Sequence, residues 1–175
     1  MSARKISPTD KEVFFHEDDI IVSKTDLKGR ITYANRTFCE IAGYTERDLL
    51  GQPHSLIRHP DMPRAVFKLL WDTLQEGQEL FAYVKNMSRT GDYYWVFAHV
   101  TPSFDGAGKI IGYHSNRRVP NRDILARIIA PLYAELLQEE KRHKNGKDAL
   151  AAGKAAFDEF VRGKRMGYDQ LVFSL

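Results

Sequence analysis

Between Gly51 and Pro63 the chain concentrates residue types that bind anions. The segment contains His54, Arg58, His59 and Asp61 between three prolines. Each proline fixes its own φ and restricts the residue before it, so we expect a stiff, irregular loop. A guanidinium and an imidazole held there suit a phosphate or diphosphate, which arginine binds in bidentate fashion. The alternative is that Asp61 only caps a helix starting near Pro63 while Arg58 makes a surface ion pair.

Strand and helix patterns surround this loop in a definite order. Strand patterns occur at 20–24, 30–34, 80–87, 93–104 and 110–117, separated by turn residues or helical segments. Helical patterns occur at 36–42 and 63–75, and a short helix follows Thr45 and ends at Gly51. Asn35 is suited to cap the first helix, and Thr45 with Asp48 forms a capping pattern for the short one. The order is two strands, several short helices, then three strands.

The C-terminal part has the pattern of helices. Asn121 is placed to cap a helix at 121–143 that Pro131 would kink, and a second helix is predicted at about 148–162. The first helix carries an apolar stripe made of Ile124, Leu125, Ile128, Ile129, Leu132 and Leu136. This stripe either packs on the protein's own sheet or forms a homodimer or partner surface. The sequence gives no role for the apolar tail at 167–175.

The order of elements has a counterpart in a known family. Ile-Thr-Tyr-Ala-Asn-Arg-Thr-Phe at 31–38, running into Gly-Tyr-Thr-Glu-Arg-Asp-Leu-Leu-Gly at 43–51, resembles a PAS domain. This resemblance implies an α+β fold with a five-stranded antiparallel sheet, short helices on one face and a C-terminal helical extension. We therefore expect an N-terminal segment at 1–14, a PAS sensor domain at 15–120 and the helical extension at 121–175.

A tighter resemblance lies inside this region. Gly-Gln-Pro-His at 51–54, Arg-His-Pro-Asp-Met-Pro at 58–63, Trp71, Lys-Asn at 85–86 and Gly-Asp-Tyr-Tyr-Trp-Val at 91–96 resemble the PAS domains of bacterial aerotaxis and energy-taxis transducers. Members of this kind bind FAD non-covalently and report redox or electron-transport status. The resemblance implies flavin-binding positions at Arg58, His59, Asp61, Trp71 and Asn86, and we add His54 and Asn35 as further candidates.

Two of these candidates have a chemistry that suits a flavin ring. The Trp71 indole would offer a polarizable aromatic wall, although its place on the apolar edge of a helix also fits a core role. The Asn86 amide both donates and accepts hydrogen bonds, as the ring oxygens and nitrogens require. A structural hydrogen bond from Asn86 to the backbone is the alternative.

Composition restricts the class of protein. With 43% hydrophobic and 28% charged residues, the 175-residue chain is typical of a soluble globular protein. A net charge of +3 without a long basic run gives no support for nucleic-acid binding. The single cysteine and the lack of a signal-peptide pattern favour a reducing cytoplasm.

The signal is expected to pass to a separate protein. No apolar run is long enough to cross a bilayer, so we expect no direct membrane insertion. Aerotaxis receptors that carry membrane and signalling segments in one chain differ in this respect. The chain is similar to the PAS subunit of bipartite energy-taxis systems, which implies a methyl-accepting chemotaxis-type transducer or another signalling protein as partner.

Other functions remain as alternatives. A haem-binding PAS oxygen sensor would need an axial ligand from His54, His59, His99 or His114. A flavoprotein reductase is not favoured, because no Gly-x-Gly-x-x-Gly or kinase motif is present and we expect no enzyme activity. Cys39 does not lie in the Asn-Cys-Arg-Phe motif of light-oxygen-voltage photoreceptors. We expect it to be a small buried hydrophobic residue. The histidines lack the further ligands of a metal site, and a colourless protein would indicate an interaction module without cofactor.

Overall fold

The strands predicted from the sequence form one antiparallel sheet in the computed structural model of the protein. The structure describes residues 6–164, 168, 172 and 173. The first half contains β1 (Ile21–Thr25), β2 (Ile31–Ala34), α1 (Arg36–Ala42), α2 (Glu46–Leu49), a 3-10 turn (His54–Ile57) and α3 (Arg64–Gln75). The next strands are β3 (Leu80–Met87), β4 (Tyr93–Phe104) and β5 (Ile110–Arg118). The five strands lie in the order β2-β1-β5-β4-β3, which confirms the predicted fold.

Local capping sets the short helices as predicted. The Asn35 side chain accepts a hydrogen bond from the Phe38 amide at the start of α1. Thr45 and Asp48 form a reciprocal capping box at the start of α2. These caps fix the two helices that precede the proline-rich loop, so the loop begins from a defined point at the end of α2.

The C-terminal residues form a helical extension, which consists of α4 (Arg122–Ile124), a π-helical turn (Leu125–Ile129), α5 (Ala130–Lys141) and α6 (Gly146–Gly163). The Ala130 amide donates to the Leu125 carbonyl, five residues back. Pro131 lacks an amide hydrogen and crowds the turn before it, so a wider turn accommodates its ring. The predicted single helix is therefore interrupted by a π turn.

The two faces of the sheet carry different layers. Ile21, Ala98 and Phe38 belong to a buried core between the sheet and the early helices. Tyr83 and Trp95, which alternate with these positions along the strands, belong to a second core with α5 and α6. The sheet therefore has helices on both faces.

The apolar stripe of the C-terminal extension belongs to the second core. Leu125, Ile129, Leu132 and Leu136 are buried there, and the Tyr133 hydroxyl donates to the Tyr83 carbonyl at 2.7 Å. The stripe therefore packs on the protein's own sheet. Ile124 and Ile128 of the stripe are only partly buried, so a homodimer or partner surface that includes them stays a prediction.

Both flanks of the predicted sensor domain contact the sheet. Near the N-terminus, the Val13 amide donates to the Tyr93 carbonyl at 2.7 Å. The boundaries after residues 14 and 120 stay predictions, because neither flank is separated from the core. Most of the apolar tail at 167–175 lies outside the described residues. Among the helices of the described part, none has the length and apolarity needed to span a membrane.

Candidate cofactor site

A cavity of about 270 Å³ lies between α3 and the sheet. Its walls are largely apolar and aromatic, and they include Phe67, Leu70, Trp71, Val84, Val100 and Tyr113. Polar side chains reach it from β1, β3, β5 and the loop before α3, namely Ser23, His54, Arg58, Asn86, His114 and Arg117. An apolar cavity with a few converging polar groups is the usual form of a small-molecule site.

Trp71 forms an aromatic wall of this cavity. Its indole packs edge-on against Tyr113 of β5, with ring centroids 5.3 Å apart. Gly29 in the β1–β2 turn has a φ of +73°, and a Cβ there would lie 3.2 Å from the indole. The turn can approach Trp71 this closely because glycine tolerates positive φ and lacks a side chain.

Asn86 and Arg58 meet at one end of the cavity. Asn86 is 3% exposed, and its Nδ2 has no hydrogen-bond partner among the described residues. The two residues are joined by a backbone bridge. Arg58 donates to the Met62 carbonyl at 3.2 Å, and its guanidinium lies 4.0 Å from the centre of the Phe67 ring. Burial lowers the pKa of Arg58, although the charge of Glu140 opposes this shift.

Arg117 is a buried cation that the sequence reasoning did not select. It is 2% exposed, donates to Ser23 Oγ at 2.7 Å and stacks over Phe38 at 4.3 Å. Its Nε and Nη1 have no partner within the described part of the chain. Burial lowers the pKa of Arg117 to about 10, so the group stays charged at neutral pH. The sequence did contain a signal for Arg117, since Tyr113, Ser115 and Arg117 occupy alternate positions of one strand and therefore face the same side of the sheet.

His54 lies near this cation. Its Nε2 is 3.1 Å from Ser23 Oγ, the same hydroxyl that Arg117 contacts. Burial, together with the charge of Arg117, lowers the pKa of His54 to about 3. The imidazole is therefore neutral at physiological pH, and Arg117 supplies the positive charge at this end of the cavity.

Comparison with known proteins identifies the fold around the cavity. Residues 31–117 match the family model of the PAS fold. The chain is 46% identical over 121 residues to the aerotaxis receptor of Escherichia coli strain K12. The chain belongs to the PAS domain family. The alignment covers 69% of this chain and 23% of the receptor.

Two further proteins are similar to the chain. The nitrogen fixation regulatory protein of Klebsiella pneumoniae is 32% identical over 99 residues, which cover 57% of this chain and 20% of that protein. The dark structure of the blue-light photoreceptor aureochrome1 LOV matches with a TM-score of 0.53 and 25% identity, covering 70% of this chain and 84% of that one. The matches to the two curated relatives thus span less than a quarter of each relative. The predicted resemblance to aerotaxis-type PAS domains is confirmed.

Three predicted site residues do not line the cavity of this PAS domain. The Asn35 side chain accepts from Val22 N–H at 2.9 Å and donates to the Ile20 carbonyl at 2.7 Å. His59 is 3% exposed, and its Nδ1 accepts from the Asp61 amide at 3.1 Å. The Asp61 carboxylate accepts from Lys85 Nζ at 2.8 Å. The cavity therefore gathers Arg58, Trp71, Asn86 and His54, while a direct cofactor role for Asn35, His59 and Asp61 stays a prediction.

The alternative in which Asp61 caps α3 is wrong. The Glu140 carboxylate of α5 occupies that position, accepting from the Arg64 amide at 3.0 Å and the Ala65 amide at 2.9 Å. Glu140 is 7% exposed and 75 residues away from Ala65 along the chain. Sequence spacing cannot reveal such a cap, because it depends on how α5 docks.

The histidines considered for haem are spread over the PAS domain. His54 and His114 line the cavity, and each has its Nε2 within 3.1 Å of a polar side-chain atom. His99 lies away from the cavity, where it stacks on Phe81 and contacts Glu79. No cluster of three or more His, Cys, Asp or Glu side chains suited to a metal ion occurs among the residues that the structure describes.

The residues around the cavity fit a flavin ring. Buried donors without partners cost about 1–3 kcal/mol each, so the Asn86 and Arg117 donors call for a ligand rich in acceptors. Trp71 and Tyr113 provide aromatic surfaces for a planar ring system. Cys39 is not part of the wall, and it is partly buried against the core. This PAS domain therefore offers donors and aromatic walls in the combination that an isoalloxazine ring needs.

His54→Gln should reduce the acid sensitivity of the PAS domain. The folded state holds His54 neutral with its pKa lowered to about 3, whereas the unfolded chain binds a proton near the ordinary value of 6.5. Stability is thus lost as pH falls through this window, by about 2 kcal/mol between pH 7 and pH 5. Measured by urea unfolding, the free energy of unfolding of the variant should therefore fall by about 2 kcal/mol less than that of the wild type between pH 7 and pH 5. An unchanged pH dependence would show that His54 is not held neutral.

Proposed function

We propose that the protein is a cytoplasmic redox sensor that binds FAD in the cavity of its PAS domain. It would report the redox state to a signalling partner such as a methyl-accepting chemotaxis-type transducer. The observation that carries the proposal is the pair of unsatisfied buried groups, Asn86 and Arg117, at an otherwise apolar aromatic cavity. The resemblance to aerotaxis-type PAS domains supports the choice of FAD, since domains of that type bind it.

Each part of the cavity has a defined task in this proposal. FAD would supply reversible electron uptake, for which protein side chains have no equivalent. Trp71 and Tyr113 would hold the ring plane, and Asn86 would orient the ring edge through its amide. Arg117 would favour a ligand that gains negative charge, because a buried cation interacts strongly in a low-dielectric cavity.

One route for a signal leads through β3. Asn86 faces the cavity on this strand, and Tyr83 faces the opposite side three residues earlier. Tyr133 of α5 donates to the Tyr83 carbonyl at 2.7 Å and packs near Trp95 with ring centroids 6.0 Å apart. A shift of β3 at Asn86 would therefore be felt by α5.

A second route leads through α3. Trp71 lies on this helix, and the first amides of the helix are held by Glu140 of α5. A change in the position of Trp71 would alter the contact between α3 and α5. The signal can be no larger than the difference in free energy of partner contacts between the two redox states.

FAD titration of the purified protein tests the proposal. We expect the wild type to bind FAD with a flavin absorption spectrum, and Asn86→Leu to weaken the affinity about 10- to 100-fold, since a buried hydrogen bond is lost while the branching of the side chain is kept. Gln78→Ala, which removes an exposed amide beyond α3, is the matched control and should bind as the wild type does. The affinity is measured by the change in flavin fluorescence.

Three results would contradict the proposal. A haem spectrum from the purified protein would replace FAD with another cofactor. Rapid steady-state NADH oxidation by the flavin-loaded protein would indicate a reductase rather than a sensor. Equal FAD affinity of Asn86→Leu and the wild type would remove the cavity as the binding site.

A further inference from the structure

A second, larger cavity adjoins the first one and involves the C-terminal helices. It has a volume of about 890 Å³ and lies between α3 and the α5–α6 pair. The two cavities share Arg58, Phe67 and Trp71 in their walls. We call the second cavity the basic groove, defined by Arg58, Arg64, Lys141 and Lys144, because these four side chains supply its unpaired positive charge. Lys68 also lines it but is paired with Asp72.

The cations of the basic groove are poorly neutralised. Among the described residues, no carboxylate oxygen lies within 4 Å of the side-chain nitrogens of Arg58, Arg64, Lys141 or Lys144. Glu140 is the one carboxylate among the described residues of the groove wall, and its charge acts on Arg58 but cannot balance all four cations. The groove therefore carries several positive charges whose natural counterpart is an anionic ligand.

The groove also has an apolar part. Leu137 of α5 and Leu150 of α6 line it together with Phe67. A ligand that combines a diphosphate with a flat base would match both parts, since cations suit phosphate oxygens and apolar side chains suit a heteroaromatic ring.

The size of the first cavity gives an independent reason for a second binding region. Pockets for drug-sized ligands hold roughly 300–1,000 Å³. The first cavity, at about 270 Å³, is at the lower limit of this range and suits a ring system rather than a dinucleotide. A dinucleotide bound by its ring must therefore extend out of the cavity, and the wall shared at Arg58 leads into the basic groove.

We propose that the basic groove binds the diphosphate and nucleoside part of the flavin dinucleotide, with contacts from Lys141 at the end of α5 and Lys144 in the loop before α6. This inference rests on the proposed function, because it requires a flavin ring in the first cavity. The C-terminal helices are then part of the cofactor site as well as a cover for the sheet. Dinucleotide binding and docking of the C-terminal helices then stabilise each other, because the bound dinucleotide contacts both α3 and the C-terminal helices.

Parallel titrations with FAD and riboflavin test this inference, since riboflavin has the ring but no phosphate. In the double variant Lys141→Ala and Lys144→Ala, we expect the Kd for FAD to rise about tenfold or more, as lost charge-assisted contacts imply. The Kd for riboflavin should change less than about twofold, because both lysines are exposed and away from the ring cavity. Added salt should weaken FAD binding more than riboflavin binding in the wild type.

The matched control replaces Lys109 and Lys154, which are exposed and lie outside both cavities, with alanine. It removes the same charge and should leave both affinities as in the wild type. Equal FAD affinity of the groove variant and the wild type would overturn this inference while the proposed function stands. A parallel loss of riboflavin binding would also overturn it, since the lysines would then act through the fold. If the wild type binds neither flavin, both proposals fall.

Discussion

In the flavin-free protein, replacing Arg117 with methionine is expected to raise the free energy of unfolding by about 1–3 kcal/mol. The same change should weaken FAD binding at least about tenfold. Arg117 is 2% exposed and charged, yet its Nε and Nη1 have no partner among the described residues. A buried cation without a counter-ion carries a large desolvation cost, which an unbranched apolar side chain avoids. The opposite signs of the two effects distinguish a ligand-binding group from a structural one.

Urea unfolding of the cofactor-free protein measures the first effect, and fluorescence titration with FAD measures the second. Arg118→Met is the matched control, because Arg118 is the exposed neighbour on the same strand. Its stability should stay within about 0.5 kcal/mol of the wild type. A variant Arg117→Met that is less stable without flavin, and that binds FAD normally, would assign Arg117 to the core.

Glu140→Ala is expected to lower the free energy of unfolding by about 3 kcal/mol. The change removes two hydrogen bonds from a buried carboxylate and leaves the Arg64 and Ala65 amides without acceptors. Gly153 of α6 fits against the same carboxylate, since a Cβ there would lie 2.7 Å from Glu140 Oε1. A single side chain thus connects α3, α5 and α6, and its loss should loosen all three contacts.

Glu135→Ala is the matched control on the exposed side of α5 and should have little effect. The free energy of unfolding of Glu140→Gln should lie between those of Glu140→Ala and Glu135→Ala, because an amide keeps one acceptor oxygen but loses the charge. Amide hydrogen exchange gives a local measurement, and we expect the Arg64 and Ala65 amides to lose protection in Glu140→Ala. Unchanged protection of these amides would show that the cap does not stabilise α3.

Local patterns made most of the sheet predictable. The bounds of β3 and β4 agree with the sequence prediction, since alternating residues and the Gly91 turn between them are short-range signals. The capping box of Thr45 and Asp48 was predictable for the same reason. The resemblance to PAS domains supplied what these signals lack, namely that the strands form one sheet.

The features that the sequence did not predict depend on contacts between segments that are distant in the chain. Arg117 looked like a polar strand end, but the central place of β5 between β1 and β4 buries it opposite Ala98 and Ile21. The Glu140 cap joins residues far apart in sequence, so no local pattern indicates it. The apolar stripe fitted a covered core and an exposed surface equally well in sequence, and the docked position of α5 buries four of its six residues.

The two tryptophans of the chain make its two helical layers separately visible to fluorescence. Trp71 lies in the wall shared by both cavities, so its emission would be quenched by energy transfer to an occupant that absorbs near-ultraviolet light. Trp95 lies on the opposite face of the sheet, near Tyr133 of α5, and its emission would follow the docking of the C-terminal helices. With one tryptophan replaced by phenylalanine at a time, each remaining tryptophan reports on its own helical layer without an added label.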